Sequence, residues 1–116
     1  MTKFNVVTTK IITGFNSKRV SFTKKIDRDF LSETELFINC SPLGSGLSKN
    51  YLKKSPLSKN DLKKLKPQAT VFDIVYSPNK TRLNKFCKDL SINYLNGLKM
   101  NTEQANKALK IIEKNY

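Results

Sequence analysis

A chain of 116 residues, 38% hydrophobic and 27% charged, has room for one globular domain and no second full core. Histidine is absent, which excludes imidazole bases and histidine-dependent triads, and the distant pair Cys40 and Cys87 forms no metal-ligand motif. No apolar run approaches the length of a membrane span or a signal peptide, so we expect a cytoplasmic protein without a metal site.

The net charge of +13 comes from 22 basic and nine acidic residues, and all of the basic residues except Arg19, Arg28 and Arg82 are lysines. Such an excess attracts nucleic acid, an anionic membrane surface or a phosphorylated cofactor. Base readout favours arginine, asparagine and glutamine on one helix face, whereas scattered lysine more often solvates a surface. The composition therefore favours a solvated surface and leaves a polyanion-binding module as an alternative.

The first half of the chain predicts short strands and one long loop. β-branched and alternating residues predict strands over 4–9 and 19–23, followed by a polar connection over 27–35. The apolar run 36–40 predicts a buried strand, and the proline, glycine and serine residues of 41–58 predict a long loop.

The second half alternates between helix and strand, in the order helix 60–65, strand 70–76, helix 81–90 and strand 92–95. Apolar residues at helical spacing over 81–90 predict a buried face, which makes Cys87 a core residue rather than a reactive thiol. A last helix is expected to begin at Asn101, with Gln104 placed to complete a capping box. Its apolar stripe comprises Ala105, Ala108, Leu109 and Ile112.

Strands that alternate with helices are typical of a parallel α/β sheet with right-handed crossovers. Ligands of such sheets bind outside the carboxyl ends of the strands. We therefore expect Ser41-Pro42, Tyr76 and Asn96-Gly97 to lie along one rim. Asp73, inside a strand, is interpreted as a structural carboxylate rather than a catalytic base.

Three segments at these strand ends resemble the signature segments of the shikimate dehydrogenases, and they read INCSPLG (38–44), DIVYSPNKTRL (73–83) and GLKMNTEQA (97–105). The resemblance implies an α/β fold with an incomplete Rossmann-like, doubly wound parallel sheet, in which residues 1–116 form part of the NADP-binding domain. It also implies the NADP-dependent interconversion of 3-dehydroshikimate and shikimate.

The resemblance assigns roles position by position. Tyr76 and Gln104 match residues that bind shikimate. Ile74, Gly97 and Met100 match residues at the nicotinamide end of NADP, while Ser41 and Pro42 match residues of the ribose cleft. The chain departs from the family at Ser45, Lys99 and Asn101, where methionine, glycine and an aliphatic residue are usual.

The same resemblance implies that parts of the enzyme lie outside 1–116. A glycine-rich phosphate loop and a substrate domain with a catalytic lysine and aspartate are expected to precede this region, so no catalytic residue is assigned. Gly44-Ser45-Gly46 follows the wrong strand to be that loop. Without the central first strand of a doubly wound sheet, we expect open edges and a chain that is marginally stable and inactive alone.

Several functions remain open at this stage. The leading hypothesis is a fragment or split subunit of an NADP-dependent shikimate dehydrogenase, which would need a separate N-terminal domain or subunit as its partner. A quinate-active or NAD-using relative and a non-catalytic remnant fit the same segments. A basic module that binds nucleic acid or another acidic partner is the alternative from a different class.

Overall fold

The computed structural model describes residues 4–7, 20–23 and 25–115. The strands in these ranges are β1 Phe4–Val7, β2 Val20–Thr23, β3 Leu36–Asn39, β4 Thr70–Asp73 and β5 Asn93–Asn96. The helices are α1 Arg28–Ser32, α2 Lys49–Leu52, α3 Lys59–Leu62, α4 Arg82–Asp89 and α5 Leu98–Asn115.

The strands form two parallel sheets. β3, β4 and β5 make a three-stranded sheet with β4 in the middle, and β1 pairs with β2 in a separate two-stranded sheet. Within the described residues, no ladder joins the two sheets. The prediction of an incomplete Rossmann-like α/β fold with a parallel sheet is confirmed, and the division into two sheets agrees with the expected open edges.

The core lies on one face of the three-stranded sheet, where α1, α3 and α4 pack. Its fully buried side chains are Leu31, Leu57, Leu62, Val71, Leu83 and Cys87. Burial, and secondarily the nearby charge of Asp73, raises the pKa of the Cys87 thiol to about 11. Cys87 is therefore a core residue, as predicted, and its thiol stays protonated and unreactive at neutral pH.

The opposite face of the same sheet is open among the described residues. The strand register places Ile38, Phe72 and Leu95 in one row across this face. Leu36 lies on the same face, two residues before Ile38 along β3. Leu36, Ile38 and Leu95 are 54%, 44% and 59% exposed. The prediction that residues 36–40 form a strand is confirmed, but the prediction that its apolar side chains are buried is wrong for Leu36 and Ile38. We call Leu36, Ile38, Phe72 and Leu95 the open face.

The last helix begins at Leu98, four residues before the start that the predicted Asn101 cap implies. The Asn96 side-chain oxygen accepts a hydrogen bond from the Leu98 backbone N–H at 3.1 Å, so the helix starts at Leu98. Asn101 already lies in the first turn, where its N–H donates to the Gly97 carbonyl at 2.9 Å. The predicted capping box of Asn101 and Gln104 is therefore wrong.

Two other boundaries differ from the prediction. The strand predicted over 70–76 ends at Asp73, because the Asp73 carboxylate accepts from the Val75 N–H at 3.2 Å and turns the chain. The predicted loop over 41–58 contains the short helix α2, which Ser48 caps. The boundaries of α4 match the prediction closely, and Thr81 caps its N-terminus.

Helix α5 runs for 18 residues with no buried residue. Its apolar stripe is exposed, including Leu109 and Ile112. In the described part of the chain, no helix combines the length and the apolar character that a membrane crossing requires.

Candidate functional site

The segments that follow β3, β4 and β5 meet at the carboxyl edge of the sheet, as predicted, and we call them the rim. The Ile74 N–H donates to the Asn39 carbonyl at 3.2 Å, and the Gly46 N–H donates to the Ser77 carbonyl at 2.9 Å. These bonds hold the loop after β3 against the loop after β4. The rim is therefore a single connected surface at the place where parallel sheets bind ligands.

Beneath the rim, a buried carboxylate connects the neighbouring segments by hydrogen bonds. Asp73 is fully buried, and its Oδ1 accepts from Asn39 Nδ2 at 3.0 Å and from the Val75 N–H at 3.2 Å. Its Oδ2 accepts from Thr81 Oγ1 at 3.2 Å and from the Tyr94 hydroxyl at 3.0 Å. The interpretation of Asp73 as a structural carboxylate is confirmed, because both oxygens are occupied by donors from two strands, the loop after β4 and a helix cap.

The Tyr94 hydroxyl serves this network as a donor. Burial is the main cause that raises the pKa of Tyr94 to about 12; the Thr81 hydrogen bond opposes it, and the charge and hydrogen bond of Asp73 reinforce it. The hydroxyl therefore keeps its proton at neutral pH and donates it to the carboxylate.

Asn39 shapes the loop that carries two predicted site residues. Its side-chain oxygen accepts from the Ser41 N–H at 3.0 Å, and its amide nitrogen donates to the Leu43 carbonyl at 3.2 Å. These bonds fold the chain back immediately after β3. Ser41 is left half-buried and Pro42 exposed at the surface of the rim.

The backbones of Gly97 and Ile74, which the resemblance assigns to one site, lie close together. A Cβ added to Gly97 would lie 2.0 Å from the Ile74 carbonyl oxygen, which no side chain can tolerate. The close approach of two backbones, rather than a ligand, thus already accounts for glycine at this position.

The other predicted residues lie on the loop after β4 and on α5. Tyr76 is 45% exposed on the loop after β4. Met100 is half-buried near the start of α5, and Gln104 is exposed one turn later on the same helix face.

Gly44-Ser45-Gly46 is not a phosphate-binding loop. Its three N–H groups donate to the carbonyls of Tyr51, Pro42 and Ser77 at 2.8–2.9 Å, so none is free for an anion. Gly44 adopts a φ of 93°, which accounts for glycine there. The Ser45 hydroxyl is buried and has no hydrogen-bond partner among the described residues.

Sequence reasoning missed two features. It did not connect Asn39, Thr81 and Tyr94 to Asp73, because a buried network of distant residues leaves no local pattern. It also missed a cleft of about 620 Å³ lined by the cationic side chains of Lys53, Lys80, Arg82, Lys85 and Lys88. The run of cations from Lys80 to Lys88 was the available signal. In the described part of the chain, no cluster of acidic or cysteine side chains is suited to a metal ion.

No family model matches the chain. Comparisons with known protein sequences and with solved structures both find shikimate dehydrogenases. The shikimate dehydrogenase (NADP(+)) of Synechococcus sp. (strain JA-3-3Ab) is 37% identical over 87 residues, which is 75% of this chain and 30% of that protein. The enzyme of the same name from Alkaliphilus metalliredigens is 38% identical over 81 residues, or 70% of this chain and 27% of that protein.

Solved structures agree with the sequence matches. Shikimate dehydrogenase 1 from Peptoclostridium difficile superposes with a TM-score of 0.74 over 97% of this chain and 39% of its own, at 22% identity, which supports the fold. Shikimate 5-dehydrogenase from Listeria monocytogenes, solved with shikimate and NAD, gives a TM-score of 0.62 at 28% identity over 80% of this chain and 32% of its own. The chain thus spans about a third of the length of the proteins it matches.

Proposed function

Because the chain is homologous to part of the shikimate dehydrogenases, we propose that it forms part of the NADP-binding domain of such an enzyme, which interconverts 3-dehydroshikimate and shikimate. The observation that carries the proposal is where the sequence match falls. A match of 87 residues in a chain of 116 must include residues 30–87, which contain β3, β4 and the two loops of the rim. We assign no catalytic residue to this chain and propose that the proton is transferred by groups outside it.

The rim suits the nicotinamide end of the cofactor better than its phosphate end. We propose that the nicotinamide ring lies against the rim next to the Gly97–Ile74 contact, with the half-buried Met100 side chain near it, as the resemblance assigns these three residues. Ser41 and Pro42 would border the ribose. The N–H groups of Gly44, Ser45 and Gly46 are all bonded to carbonyls, so we propose that the groups that bind the pyrophosphate come from elsewhere in the enzyme.

Tyr76 and Gln104 are proposed to bind the substrate. Both side chains are exposed, that of Tyr76 on the loop after β4 and that of Gln104 on α5, and neither makes a hydrogen bond among those of the described residues. A glutamine amide offers a donor and an acceptor, and a tyrosine hydroxyl offers both in one group. Such groups suit the ring hydroxyls of shikimate. When bound, NADP supplies or accepts the hydride, while these residues only hold the ring in place.

A chimera tests the proposal directly. This chain would replace the matched segment of the Synechococcus enzyme, and reduction of NADP by shikimate would be followed by absorbance, with quinate and NAD as competing pairs. We expect activity with shikimate and NADP. Gln104→Ala should raise KM for shikimate about tenfold, as loss of one hydrogen bond implies, and leave KM for NADP unchanged.

The matched control is Gln68→Ala, which removes an exposed glutamine outside the rim. A folded chimera without activity would contradict the proposed function. Equal kinetics for the Gln104 and Gln68 variants would contradict the substrate role of Gln104 alone.

The basic cleft supports a second candidate function, which is binding of a nucleic acid backbone. Five cationic side chains line it, and Arg82 is held in place by donating to the Lys53 carbonyl at 2.8 Å while lying 5.5 Å from the centre of the Phe86 ring. Lysine contacts to phosphate give binding that weakens steeply with salt. Such binding to duplex RNA, lost in Lys80→Ala/Lys85→Ala and retained in Lys107→Ala on α5, would support this function. Weak binding with no difference between the variants would exclude it.

A further inference from the structure

The cations of the basic cleft come from three segments of the chain. Lys53 directly follows α2, Lys80 lies in the loop after β4, and α4 contributes Arg82, Lys85 and Lys88. On α4 these three side chains are spaced three residues apart, so each is a neighbour of the next along one side of the helix. The five positive charges therefore line one cavity instead of being dispersed over the surface.

The charges of the basic cleft are not compensated within the described part of the chain. None of the residues that line the cleft is acidic, and none of the three salt bridges between described residues involves a residue of the cleft. Like charges three residues apart on a helix repel one another. An anion in the cleft would relieve this repulsion, so the cluster favours an anionic ligand.

Arg82 is held in position without a ligand. One of its terminal nitrogens donates to the Lys53 carbonyl at 2.8 Å, and its guanidinium carbon lies 5.5 Å from the centre of the Phe86 ring. A guanidinium has five N–H donors, so others are left for a ligand. Arginine binds phosphate through paired hydrogen bonds, and linked phosphate groups bring several negative charges into a small volume.

The uncharged lining of the cleft also suits a polar ligand. The Asn79 side-chain oxygen accepts from Asn96 Nδ2 at 3.3 Å, which leaves the Asn79 amide nitrogen as a donor, and Asn84 adds a second amide. Among the described residues that line the cleft, Leu52 alone is apolar. A ligand that is mostly hydrocarbon would therefore find little to contact.

The size of the basic cleft distinguishes a small molecule from a nucleic acid. Its volume of about 620 Å³ falls within the range of small-molecule sites, which is roughly 300–1,000 Å³. A nucleic-acid interface extends over roughly 600–1,000 Å² even for a single small module. Cations that converge on one cavity from three segments therefore favour a compact ligand over a long phosphate backbone.

We propose that the basic cleft binds a compact oligophosphate, which is a small molecule that carries two or three linked phosphate groups. None of the residues proposed to bind NADP or shikimate lines the cleft. The site is therefore separate from the rim and goes beyond the proposed dehydrogenase function. Phosphate is the chemistry that this ligand shares with a nucleic acid backbone, so the test includes both.

Titration calorimetry on the intact chain at physiological ionic strength tests the site, with inorganic tripolyphosphate as the probe. We expect one-to-one binding that is at least about tenfold tighter than that of orthophosphate, because linked phosphates engage more of the cations. NADP should displace tripolyphosphate at least about tenfold less effectively than unlabelled tripolyphosphate does, because none of its proposed contacts lies in the cleft.

Lys85→Ala/Lys88→Ala should weaken tripolyphosphate binding at least about tenfold, because two of the five cations are lost. The matched control is Lys107→Ala/Lys110→Ala, which removes the same charge from α5 and should bind normally. All four lysines are exposed, so both variants should fold, and their thermal unfolding midpoints would verify this.

Equal affinities of the two variants would show that net charge alone attracts the ligand and would overturn the site. Equally effective displacement by NADP would assign the cleft to the cofactor and overturn a separate site. Absence of tripolyphosphate binding also overturns it, and if duplex RNA then binds and is lost in Lys85→Ala/Lys88→Ala, the cleft serves a nucleic acid instead. The chimera tests the dehydrogenase function independently of each result.

Discussion

Asp73 connects parts of the molecule that are far apart in sequence. Asn39, Thr81 and Tyr94 lie on β3, at the cap of α4 and on β5, and all donate to its two oxygens. A buried acceptor with four donors stabilises the fold mainly because the loss of any acceptor oxygen leaves a buried donor unpaired.

Asp73→Asn should destabilise the chain by about 1–3 kcal/mol, because one oxygen becomes an NH2 group that faces two donors. Chemical denaturation would measure the loss. The control is Asp89→Asn, whose carboxylate is exposed and pairs with Lys59 at 3.2 Å, and whose loss should cost about 0.5 kcal/mol or less. A similar cost for both variants would contradict the role assigned to Asp73.

The same network predicts sensitivity to alkali. The pKa of Tyr94 is raised to about 12 in the folded chain from an ordinary value of 10, first by burial. A raised folded-state pKa contributes stability that is complete below pH 10 and is lost as the pH rises towards 12. The free energy of unfolding should therefore fall above pH 10, and less steeply in Tyr94→Phe. Parallel curves for the two proteins would contradict this.

Gly97 and Gly46 form a matched pair for substitution, because an added Cβ atom would collide with backbone atoms at Gly97 but not at Gly46. Gly97→Ala would place Cβ 2.0 Å from the Ile74 carbonyl oxygen, so the ends of β4 and β5 must separate, at a cost of about 2 kcal/mol or more. Gly46→Ala meets nothing closer than 3.6 Å and should be nearly neutral. Thermal unfolding would compare them, and equal midpoints would show that the close approach is not required.

At the level of elements, α5 is the longest helix among the described residues and has no buried residue. A helix without tertiary packing depends on propensity and capping alone. Its apolar stripe is available for the packing that a larger protein would provide.

Ala108→Gly should weaken α5 locally by about 1 kcal/mol without changing the unfolding midpoint of the sheet and its core. Exchange of the α5 amides would report the first effect and thermal unfolding the second. Ala69→Gly is the comparison, since Ala69 is buried beside β4 and its loss should lower the midpoint. An equal shift from both variants would show that α5 is packed after all.

Helices and strands could be predicted from the sequence where a local pattern of apolar or β-branched residues marks them. The apolar spacing of α4 and the β-branched run of β4 identified both, because each has one face against the core. The start of α5 was predicted wrongly, because Asn101 suits a cap in sequence, whereas in the structure its N–H already donates to the Gly97 carbonyl as part of the first turn. The exposure of Leu36 and Ile38 could not be predicted, since an apolar run does not reveal whether its cover belongs to the same chain.

For the molecule as a whole, the strand ends could be predicted to converge, but the chemistry of the site could not. Parallel topology placed Ser41, Tyr76 and Gly97 at one edge from sequence order alone. Their roles towards cofactor and substrate come from the resemblance and are still proposals. The Asp73 network depends on the register between strands, which single-strand patterns do not encode.

The chain alone should not reduce NADP with shikimate above background. Its unfolding should also not be a single cooperative transition. Two sheets that share no ladder among the described residues have little to couple them. We expect the amides of β1 and β2 to exchange much faster than those of β4. Robust shikimate-dependent NADP reduction by this polypeptide would contradict the expectation of inactivity.

The Asp73 carboxylate also has an evolutionary consequence. Its donors come from separate segments that join only in the folded protein. A substitution at Tyr94 therefore changes how much the hydrogen bonds of Thr81 and Asn39 contribute to stability, although the segments that contain these residues are unchanged. Substitutions at these positions should therefore arise in correlated sets among relatives, with the loss of the carboxylate accompanied by apolar replacements of its donors. A lineage that retains the donors after losing Asp73 would have had to find another acceptor in the same space.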